Sequence, residues 1–320
     1  MTKIGSSLFV ATLLALCLHV ASAHAQLVRT CVSMAKGSDA NSSSFCHCTT
    51  PCRTFAVAHD NTLPDGEITV LDPGDYGGLT ITKSISINND SGGEASISVS
   101  GGTTGIIINA PSGAGYVNLR GLTIQGVGFG AGGTGLRFNS GFSLIMENCV
   151  VRNHTGNGIL FLPNASANLV VSNTLVADNG GDGISIQPTG SGVTVKATLR
   201  RVEAYNNSFD GLLVSGNAST GTITATVEDT VAANNTSSGF RVNSVAGAAT
   251  SLMIVRSVAA NNNTGVFTFG AFTTLRLGQS AVTGNTTSWF QSGGVLRSYG
   301  DNYIDGNGDG NPAPTTIAKH

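Results

Sequence analysis

The chain has 320 residues, a formal net charge of −2 and only 11% charged residues. This charge balance excludes a protein that binds nucleic acid through a basic surface. The 43 glycines and the many Asn, Ser and Thr residues also occur in disordered chains, but Val, Ile and Leu alternate here too regularly for disorder. The composition therefore indicates a compact β protein.

The first 25 residues have the features of a secretory signal peptide. Lys3 supplies the positive charge, an apolar stretch follows, and Ala23-His24-Ala25 supplies the small residues of a cleavage site before Gln26. No later stretch is long and apolar enough to span a membrane. We therefore expect an exported protein, extracellular or periplasmic, without a membrane span. The sequence leaves its oligomeric state open.

Residues 26–65 form a cysteine-rich segment that ends in a short predicted helix. Cysteines in an oxidising compartment predict two disulfides, with three connectivities open, among Cys31, Cys46, Cys48 and Cys52. The alternative is a metal cluster that also uses His47, although the spacing matches no paired C-x-x-C zinc pattern. Cys149 stands alone in a later repeat and is interpreted as a packed small side chain.

The predicted helix covers residues 53–65. Thr54 can cap its start, Phe55 and Ala58 form a short apolar stripe, and the stripe ends before Pro64. The repeats that follow predict a solenoid, whose first coil exposes apolar surface. We therefore expect the helix to cover that end.

From Val117 onward the chain repeats one pattern: a short apolar strand, an Asn- or Asp-rich turn, and a second strand with alternating residues. Leu169–Gln187 is its clearest copy. The first apolar residues of the successive middle strands lie 21 to 29 residues apart, at Leu122, Val150, Leu175, Val202, Val231, Val258, Val282 and Tyr303. This period, with no helical period between the strands, indicates a solenoid of strands. About three short strands per repeat predict a parallel β-coil with about nine or ten coils, or rungs, between residues 66 and 305.

Parallel stacking predicts which side chains of successive rungs meet. The asparagines that recur in the turns should form a hydrogen-bonded amide ladder along one corner. Ser185 and Gln187 should point outward, because they alternate with Ile184 and Ile186. One apolar column inside the coil should contain Ile159, Ile184, Leu212 and Phe240.

The stretch from Glu67 to Asn88, EITVLDPGDYGGLTITKSISIN, combines an alternating strand, a Pro-Gly turn with a following Tyr, and further alternation. It resembles the opening rung of secreted right-handed parallel β-helix proteins of the pectate-lyase-like superfamily. The Asn-x-Gly-Ile repeats downstream resemble the generic repeats of the same proteins. The resemblance implies an all-β, right-handed parallel β-helix over residues 66–310, with a tail at residues 311–320.

That superfamily contains polysaccharide lyases, glycoside hydrolases, pectin esterases, alginate epimerases, phage tailspikes and non-enzymatic adhesins. The chain lacks both the Asp-Asp and Gly-His-Gly motifs of the polygalacturonase type and the Asp-Pro-His-Asp/Glu motif of the epimerase type. The resemblance implies binding or processing of an extracellular polysaccharide or cell-surface glycan, by a lyase or glycoside hydrolase if the protein is an enzyme. The alternative is a non-catalytic adhesin or structural β-helix, because fold alone does not confer function.

One candidate catalytic cluster lies at the corner between the middle and third strands of three successive rungs. Its members are His154, Asp178, Asp182 and Asp210. Two carboxylates on neighbouring rungs would suit the acid and the base or nucleophile of glycoside hydrolysis. The same carboxylates could hold Ca²⁺. The alternative is that aspartate occupies this corner because it suits turns.

A second candidate cluster contains residues of both charges. It comprises Arg200, Arg201, Glu203, Glu228, Asp229, Arg241 and Arg256. In the lyases of the superfamily an arginine beside a calcium-bridged uronate commonly takes the proton. Arg200, Asp229 and Arg256 have the same offset in consecutive repeats, so we expect them to stack. Their alternating signs favour a surface ion-pair ladder over a catalytic arginine.

A candidate metal site lies near the C-terminus, where Asp305, Asn307 and Asp309 have the first-half spacing of a calcium loop. Calcium is the one cofactor that the sequence suggests. Thr316 stands where such a loop needs a bidentate glutamate, so a solvated terminal turn is the alternative.

Aromatic residues make up only 6% of the chain. A group near the C-terminal end is expected to close the last rung and comprises Trp289, Phe290, Tyr299 and Tyr303. As platforms for sugar rings they would be spread more widely along an exposed face.

Overall fold

The repeats stack into a right-handed parallel β-helix of about eight rungs in the computed structural model of the chain. The structure describes residues 26–90, 92–128 and 133–319, and the predicted signal peptide, residues 1–25, lies outside the described residues. The predicted fold class is confirmed. The sequence estimate of about nine or ten rungs is close to this number, and one sheet of the coil has nine described strands. No helix within the described ranges is long and apolar enough to cross a membrane.

The elements are short strands with very little helix. A 3-10 helix spans Asp39–Ser44 and the α-helix α1 spans Phe55–Asn61. The first fourteen strands are β1 (Leu27–Val32), β2 (Thr62–Val70), β3 (Gly74–Asp75), β4 (Leu79–Ile81), β5 (Ile85–Asn88), β6 (Ala95–Val99), β7 (Ile106–Asn109), β8 (Tyr116–Arg120), β9 (Leu122–Gly126), β10 (Leu136–Ser140), β11 (Ser143–Glu147), β12 (Val150–Arg152), β13 (Ile159–Phe161) and β14 (Ala167–Ala177). The others are β15 (Ile184–Ile186), β16 (Thr194–Tyr205), β17 (Leu212–Ser215), β18 (Thr222–Glu228), β19 (Val231–Ala233), β20 (Ser238–Asn243), β21 (Ala249–Val255), β22 (Val258–Ala260), β23 (Thr264–Phe269), β24 (Thr273–Gly278), β25 (Ala281–Thr283), β26 (Thr287–Ser292), β27 (Val295–Ser298) and β28 (Tyr303–Asp305).

Three faces run along the coil, and every pairing between the described strands is parallel. Face 1 contains β1, β2, β5, β8, β11, β18, β21, β24 and β27. Face 2 contains β3, β6, β9, β12, β19, β22, β25 and β28. The long strands β14 and β16 bend across the corner and belong to both faces. Face 3 is a separate sheet of nine described strands, β4, β7, β10, β13, β15, β17, β20, β23 and β26.

The predicted apolar column inside the coil is confirmed on face 3. Ile159 pairs with Ile184, Ile184 with Leu212, and Leu212 with Phe240. All four side chains are buried. Burial of a column of large aliphatic side chains, repeated on the inner side of each face, supplies most of the stabilisation of the coil.

The prediction that Ser185 points outward needs a correction. It alternates with the buried Ile184, as predicted, but its own exposure is 0%. Its register partners on the two neighbouring rungs are Leu160 and Leu213. A small side chain between two leucines lies below the surface that they form, so outward direction does not make Ser185 accessible.

The corner between faces 2 and 3 contains the predicted asparagine ladder. In each rung a residue with positive φ, such as Asn234 (φ 57°), precedes the asparagine that enters the ladder. Asn235 Nδ2 donates to Asn262 Oδ1 at 3.0 Å, and the Asn235 backbone N–H donates to the same oxygen at 2.9 Å. Amide-to-amide distances of 2.9 to 3.0 Å continue through Asn179, Asn207, Asn235, Asn262, Asn285, Asn307 and Asn311.

The corner between faces 1 and 2 shows where the repeat alignment was one residue out. Leu175 pairs with Glu203 and not with Val202. The same one-residue shift applies at Leu122 and Val282. The alignment used the first apolar residue of each strand. That residue points inward at Leu122, Val202 and Val282, but it points outward in the neighbouring rungs.

The N-terminal end is held by two disulfides, Cys31–Cys48 and Cys46–Cys52. This pairing is one of the three connectivities that the sequence left open. The alternative of a metal cluster is wrong, because the four sulfurs are bonded in two pairs. Cys149 is buried and free, and burial raises its pKa to about 11.

Helix α1 is shorter than predicted and is a minor part of this end. Thr54 Oγ1 accepts the Val57 backbone N–H at 3.4 Å, so the predicted cap is confirmed. After Asn61 the chain enters β2, which includes Pro64, instead of continuing the helix. The helix packs against β1, β2 and β4.

Candidate functional site

The outward surface of face 3 brings together acidic, basic and aromatic side chains from successive rungs. Register pairs Ser185 with Leu213, Leu213 with Arg241, Arg241 with Phe267, and Phe267 with Phe290. We call these five residues the face-3 row. Parallel strands lie roughly 4.8 Å apart, so the row presents one side chain per rung at a regular spacing.

Asp182 and Asp210 lie beside this row on adjacent rungs, each just before the glycine that opens a face-3 strand. The Asp210 backbone N–H donates to Asp182 Oδ1 at 3.2 Å, and the Ser238 N–H donates to Asp210 Oδ1 at 2.8 Å. The residues are 8% and 2% exposed. The sequence thus predicted their proximity correctly, and each carboxylate bonds the backbone of the next rung.

Burial and the neighbouring charge make Asp182 an unusual acid. Burial comes first and the Asp210 charge second in raising the pKa of Asp182 to about 6, and a hydrogen bond from Ser185 opposes them. The Ser185 hydroxyl also accepts a hydrogen bond from Gln187 Nε2 at 2.6 Å. Asp182 therefore changes protonation state at a mildly acidic pH.

Arg241 connects the carboxylates to the aromatic part of the row. Its Nη1 lies 3.6 Å from Asp210 Oδ2, and its guanidinium carbon lies 4.6 Å from the centroid of the Phe267 ring. Arg241 Nε is buried and has no hydrogen-bond partner among the described residues. The cation is thus held between an anion and a ring face.

Aromatic rings extend the row toward the C-terminal end. Phe267 and Phe290 stack with centroids 4.8 Å apart, and Phe269 lies 6.4 Å from Phe267. Phe290 is 41% exposed and Phe269 is 38% exposed. This platform was missed in the sequence, where Phe290 was expected to close the last rung. Alternation within VFTF of β23, with Val266 buried, is the signal that places Phe267 and Phe269 outside.

The structure does not bring His154 and Asp178 to the same place as the two carboxylates. His154 is buried at the head of the asparagine ladder, where its backbone N–H donates to Asn179 Oδ1 and its Nε2 lies 3.2 Å from the Ile124 carbonyl oxygen. Asp178 is exposed at a positive φ of 57° and accepts a hydrogen bond from Asn206. Their placement is that of corner residues.

The second charged cluster forms ion pairs, as its alternating signs predicted. Arg200 lies 3.5 Å from Glu228 and 3.7 Å from Asp229. Arg256 pairs with the same two carboxylates. The predicted stack is wrong in one member, because Arg200 is in register with Glu228, while Arg201 occupies the corner position that Asp229 and Arg256 occupy in the following rungs.

The three residues of the candidate calcium loop form hydrogen bonds mainly with the protein itself. Asn307 Oδ1 accepts both N–H groups that Asn285 offers to the ladder, at 2.9 and 3.0 Å. Asp309 Oδ2 accepts hydrogen bonds from the backbone and hydroxyl of Ser288. Asp305 Oδ1 accepts the Gly306 N–H at 2.8 Å. These three side chains therefore stabilise the last turn.

Solved structures of other proteins share the architecture of this chain. Pectate lyase Pel9A superimposes with a TM-score of 0.61 at 18% identity, over 91% of this chain and 78% of the lyase chain. The A-module of the mannuronan C-5 epimerase AlgE4 from Azotobacter vinelandii gives a TM-score of 0.45 at 16% identity, over 80% of this chain and 91% of the module. At such identities a likeness concerns the fold alone. No curated protein matches the chain. Residues 104–308 match the family described as right handed beta helix region, and the chain belongs to that family.

Proposed function

We propose that the protein is exported and binds an extracellular polysaccharide along the outward surface of face 3. The observation that carries the proposal is the stack of half-buried Phe267 on exposed Phe290, in line with Arg241. The two disulfides are consistent with export, because disulfides persist in oxidising compartments.

The chemistry of the row suits a linear sugar polymer. Contiguous exposed apolar groups on a soluble protein mark interaction sites, and flat aromatic faces complement the C–H faces of sugar rings. From Leu213 to Phe290 the row offers one outward side chain per rung, which gives a regular series of contacts that a polymer of repeating units can occupy in succession. The Arg241 side chain is 29% exposed and adds guanidinium donors that can reach a hydroxyl or carboxylate of the ligand.

Hydrolysis at Asp182 and Asp210 is a second candidate function, and one observation favours it. Burial raises the pKa of Asp182 to about 6, which suits a general acid, and adjacent rungs separate the two residues by roughly the distance of a retaining glycosidase. Both carboxylates are nearly inaccessible and accept backbone hydrogen bonds. Binding without chemistry, as in an adhesin, therefore ranks first.

The test is retention of the protein by polysaccharides in affinity electrophoresis. Pectate, alginate and a neutral glucan are compared, each with and without calcium, and products are assayed by unsaturated-product absorbance and reducing ends. We expect Phe290→Ala to reduce retention about tenfold, since burial of a phenylalanine side chain contributes about 1.5–3 kcal/mol and about 1.4 kcal/mol is a factor of ten in affinity.

The matched control is Phe272→Ala, which removes an exposed phenylalanine outside the row. Equal retention of the parent and the Phe290 variant on every polymer that binds would contradict the proposed site. Release of unsaturated ends or new reducing ends would favour processing over binding.

A further inference from the structure

Two arginines on the outward surface of face 1 lack the acidic partners that the other arginines of this face have. Arg29, Arg120 and Arg200 lie 3.4, 2.7 and 3.5 Å from carboxylate oxygens. Arg276 and Arg297 are in register on the last two rungs, and neither lies within ion-pair distance of a carboxylate among the described residues. Like charges directly opposite each other on parallel strands repel. The pair therefore leaves an uncompensated positive charge.

Arg276 lines a cleft of about 590 Å³ at this end of face 1, a volume within the range of small-molecule sites. Met253 and Val255 give it an apolar floor, and Tyr299 forms one side. Tyr299 lies against Gly278, where a Cβ atom would come within 3.0 Å of the ring. The glycine thus makes room for the ring beside the arginine.

The C-terminal tail forms the opposite wall. The Ser298 N–H donates to the Thr315 carbonyl at 2.9 Å, and the Ile317 N–H donates to the Ser298 carbonyl at 2.8 Å. Lys319 Nζ lies 2.6 Å from Asp301 Oδ2, the one carboxylate that lines the cleft. This pairing leaves the charge of Arg276 unopposed.

We propose that this cleft is a second binding site, separate from face 3, for a small carboxylate that carries a ring. The carboxylate pairs with Arg276, since guanidinium groups match carboxylates with charge-assisted hydrogen bonds. The charge of Arg297 on the next rung adds to the positive potential there. The ring lies against Tyr299 and the apolar floor. Aromatic acids and sugar acids share this chemistry, and the two classes are separated by the probes used.

Isothermal titration calorimetry of the full mature chain with benzoate and with D-glucuronate, at low salt, tests the site. We expect saturable binding of at least one probe with one site per chain. Arg276→Gln should weaken it about tenfold or more, because the charge-assisted pair is lost. Arg276→Lys should give an intermediate affinity, because it keeps the charge without the planar fork.

Arg53→Gln is the matched control, because Arg53 is an exposed arginine at the N-terminal end, outside both proposed sites, and it should bind like the parent. Thermal melts establish that each variant is folded. Saturable binding that is lost in Arg276→Gln and kept in Arg53→Gln supports the site, whichever of the two acids binds. No saturable binding of either acid, or equal affinities for the parent and Arg276→Gln, overturns it. Polysaccharide retention is measured in parallel and should not change in Arg276→Gln, which separates this site from the one on face 3.

Discussion

At the scale of single residues, burial beside a like charge decides how Asp182 behaves. Its raised pKa means that the folded protein holds the Asp182 proton more tightly than the unfolded chain does. The stabilisation from this proton is complete below the ordinary pKa of 3.8 and is lost as the pH rises through about 6. Ionised Asp182 thus lowers the stability of the folded protein at neutral pH.

Asp182→Asn should therefore raise the free energy of unfolding at pH 7 by on the order of 2 kcal/mol. The asparagine keeps an oxygen for the Asp210 N–H and removes the repulsion between the carboxylates. At pH 4.5 the gain should shrink, because the parent is then protonated at this position. Urea denaturation at the two pH values gives both numbers.

Asp178→Asn on the same corner provides the comparison, because Asp178 is exposed and already accepts a hydrogen bond from an asparagine. It should change stability little at either pH. A stability difference between parent and Asp182→Asn that stays constant from pH 4.5 to 7 would show that the carboxylate is not titrating in this range.

At the scale of elements, the asparagine ladder is the device that fixes the corner between faces 2 and 3. The side chain of Asn262 makes all the hydrogen bonds that an amide can make. Its Nδ2 donates to the Ala232 carbonyl oxygen and to Asn285 Oδ1, and its Oδ1 accepts two N–H groups of Asn235. A buried polar group that loses its partner costs about 1–3 kcal/mol. The ladder therefore links the stability of each rung to its neighbours.

Asn262→Ala should lower the free energy of unfolding by about 2–4 kcal/mol, because it leaves buried partners without hydrogen bonds on both sides. The neighbouring Asn263 is exposed, and Asn263→Ala should cost less than about 0.5 kcal/mol. Chemical denaturation measures both. Similar losses in the two variants would mean that the ladder contributes nothing beyond ordinary turn chemistry.

The ladder and the inner column could be predicted because both leave a period in the sequence. Asparagines recur at the corner between faces 2 and 3 in successive rungs. Large apolar residues such as Ile184 and Leu212 recur at the start of the face-3 strands. Register within a strand was harder to predict. At Val202 the first apolar residue points inward, and at Leu175 it points outward, so an apolar residue alone does not give the direction.

The candidate site on face 3 was predicted only in part, for a physical reason. Turn chemistry placed Asp182 and Asp210 on adjacent rungs, and their contact followed from the repeat length. Outward positions are not constrained by the core, so residue types such as Arg241, Phe267 and Phe290 do not recur with the period of the repeat. Their contacts depend on the register of three strands, which only the stacked coil supplies.

At the scale of the whole molecule, the rungs depend on their neighbours and the N-terminal end depends on the disulfides. Cys31–Cys48 closes a segment of 17 residues and Cys46–Cys52 one of 6 residues. Removing a disulfide from a short loop typically costs about 2–4 kcal/mol. In a solenoid such a loss spreads only to adjoining rungs, because stability is a sum of local terms.

Reduction of the disulfides should therefore increase hydrogen exchange at the N-terminal end and leave the middle of the coil protected. We expect faster exchange in β1 and β2 and unchanged protection in β18 and β21, measured by mass spectrometry with and without reductant. Uniform loss of protection along the chain would show instead that the coil unfolds as one cooperative unit.

The two ends of face 1 also determine whether another chain can add to the coil end to end. At one end, the backbone of β1 exchanges hydrogen bonds with Cys46 and Cys52. At the other end, Thr316 bridges to Ser298 beyond β27. An uncovered strand edge is a template on which another chain can add by β-pairing. Each end of face 1 is thus partly covered by a short segment of the chain itself, which hinders the addition of another chain end to end on this face.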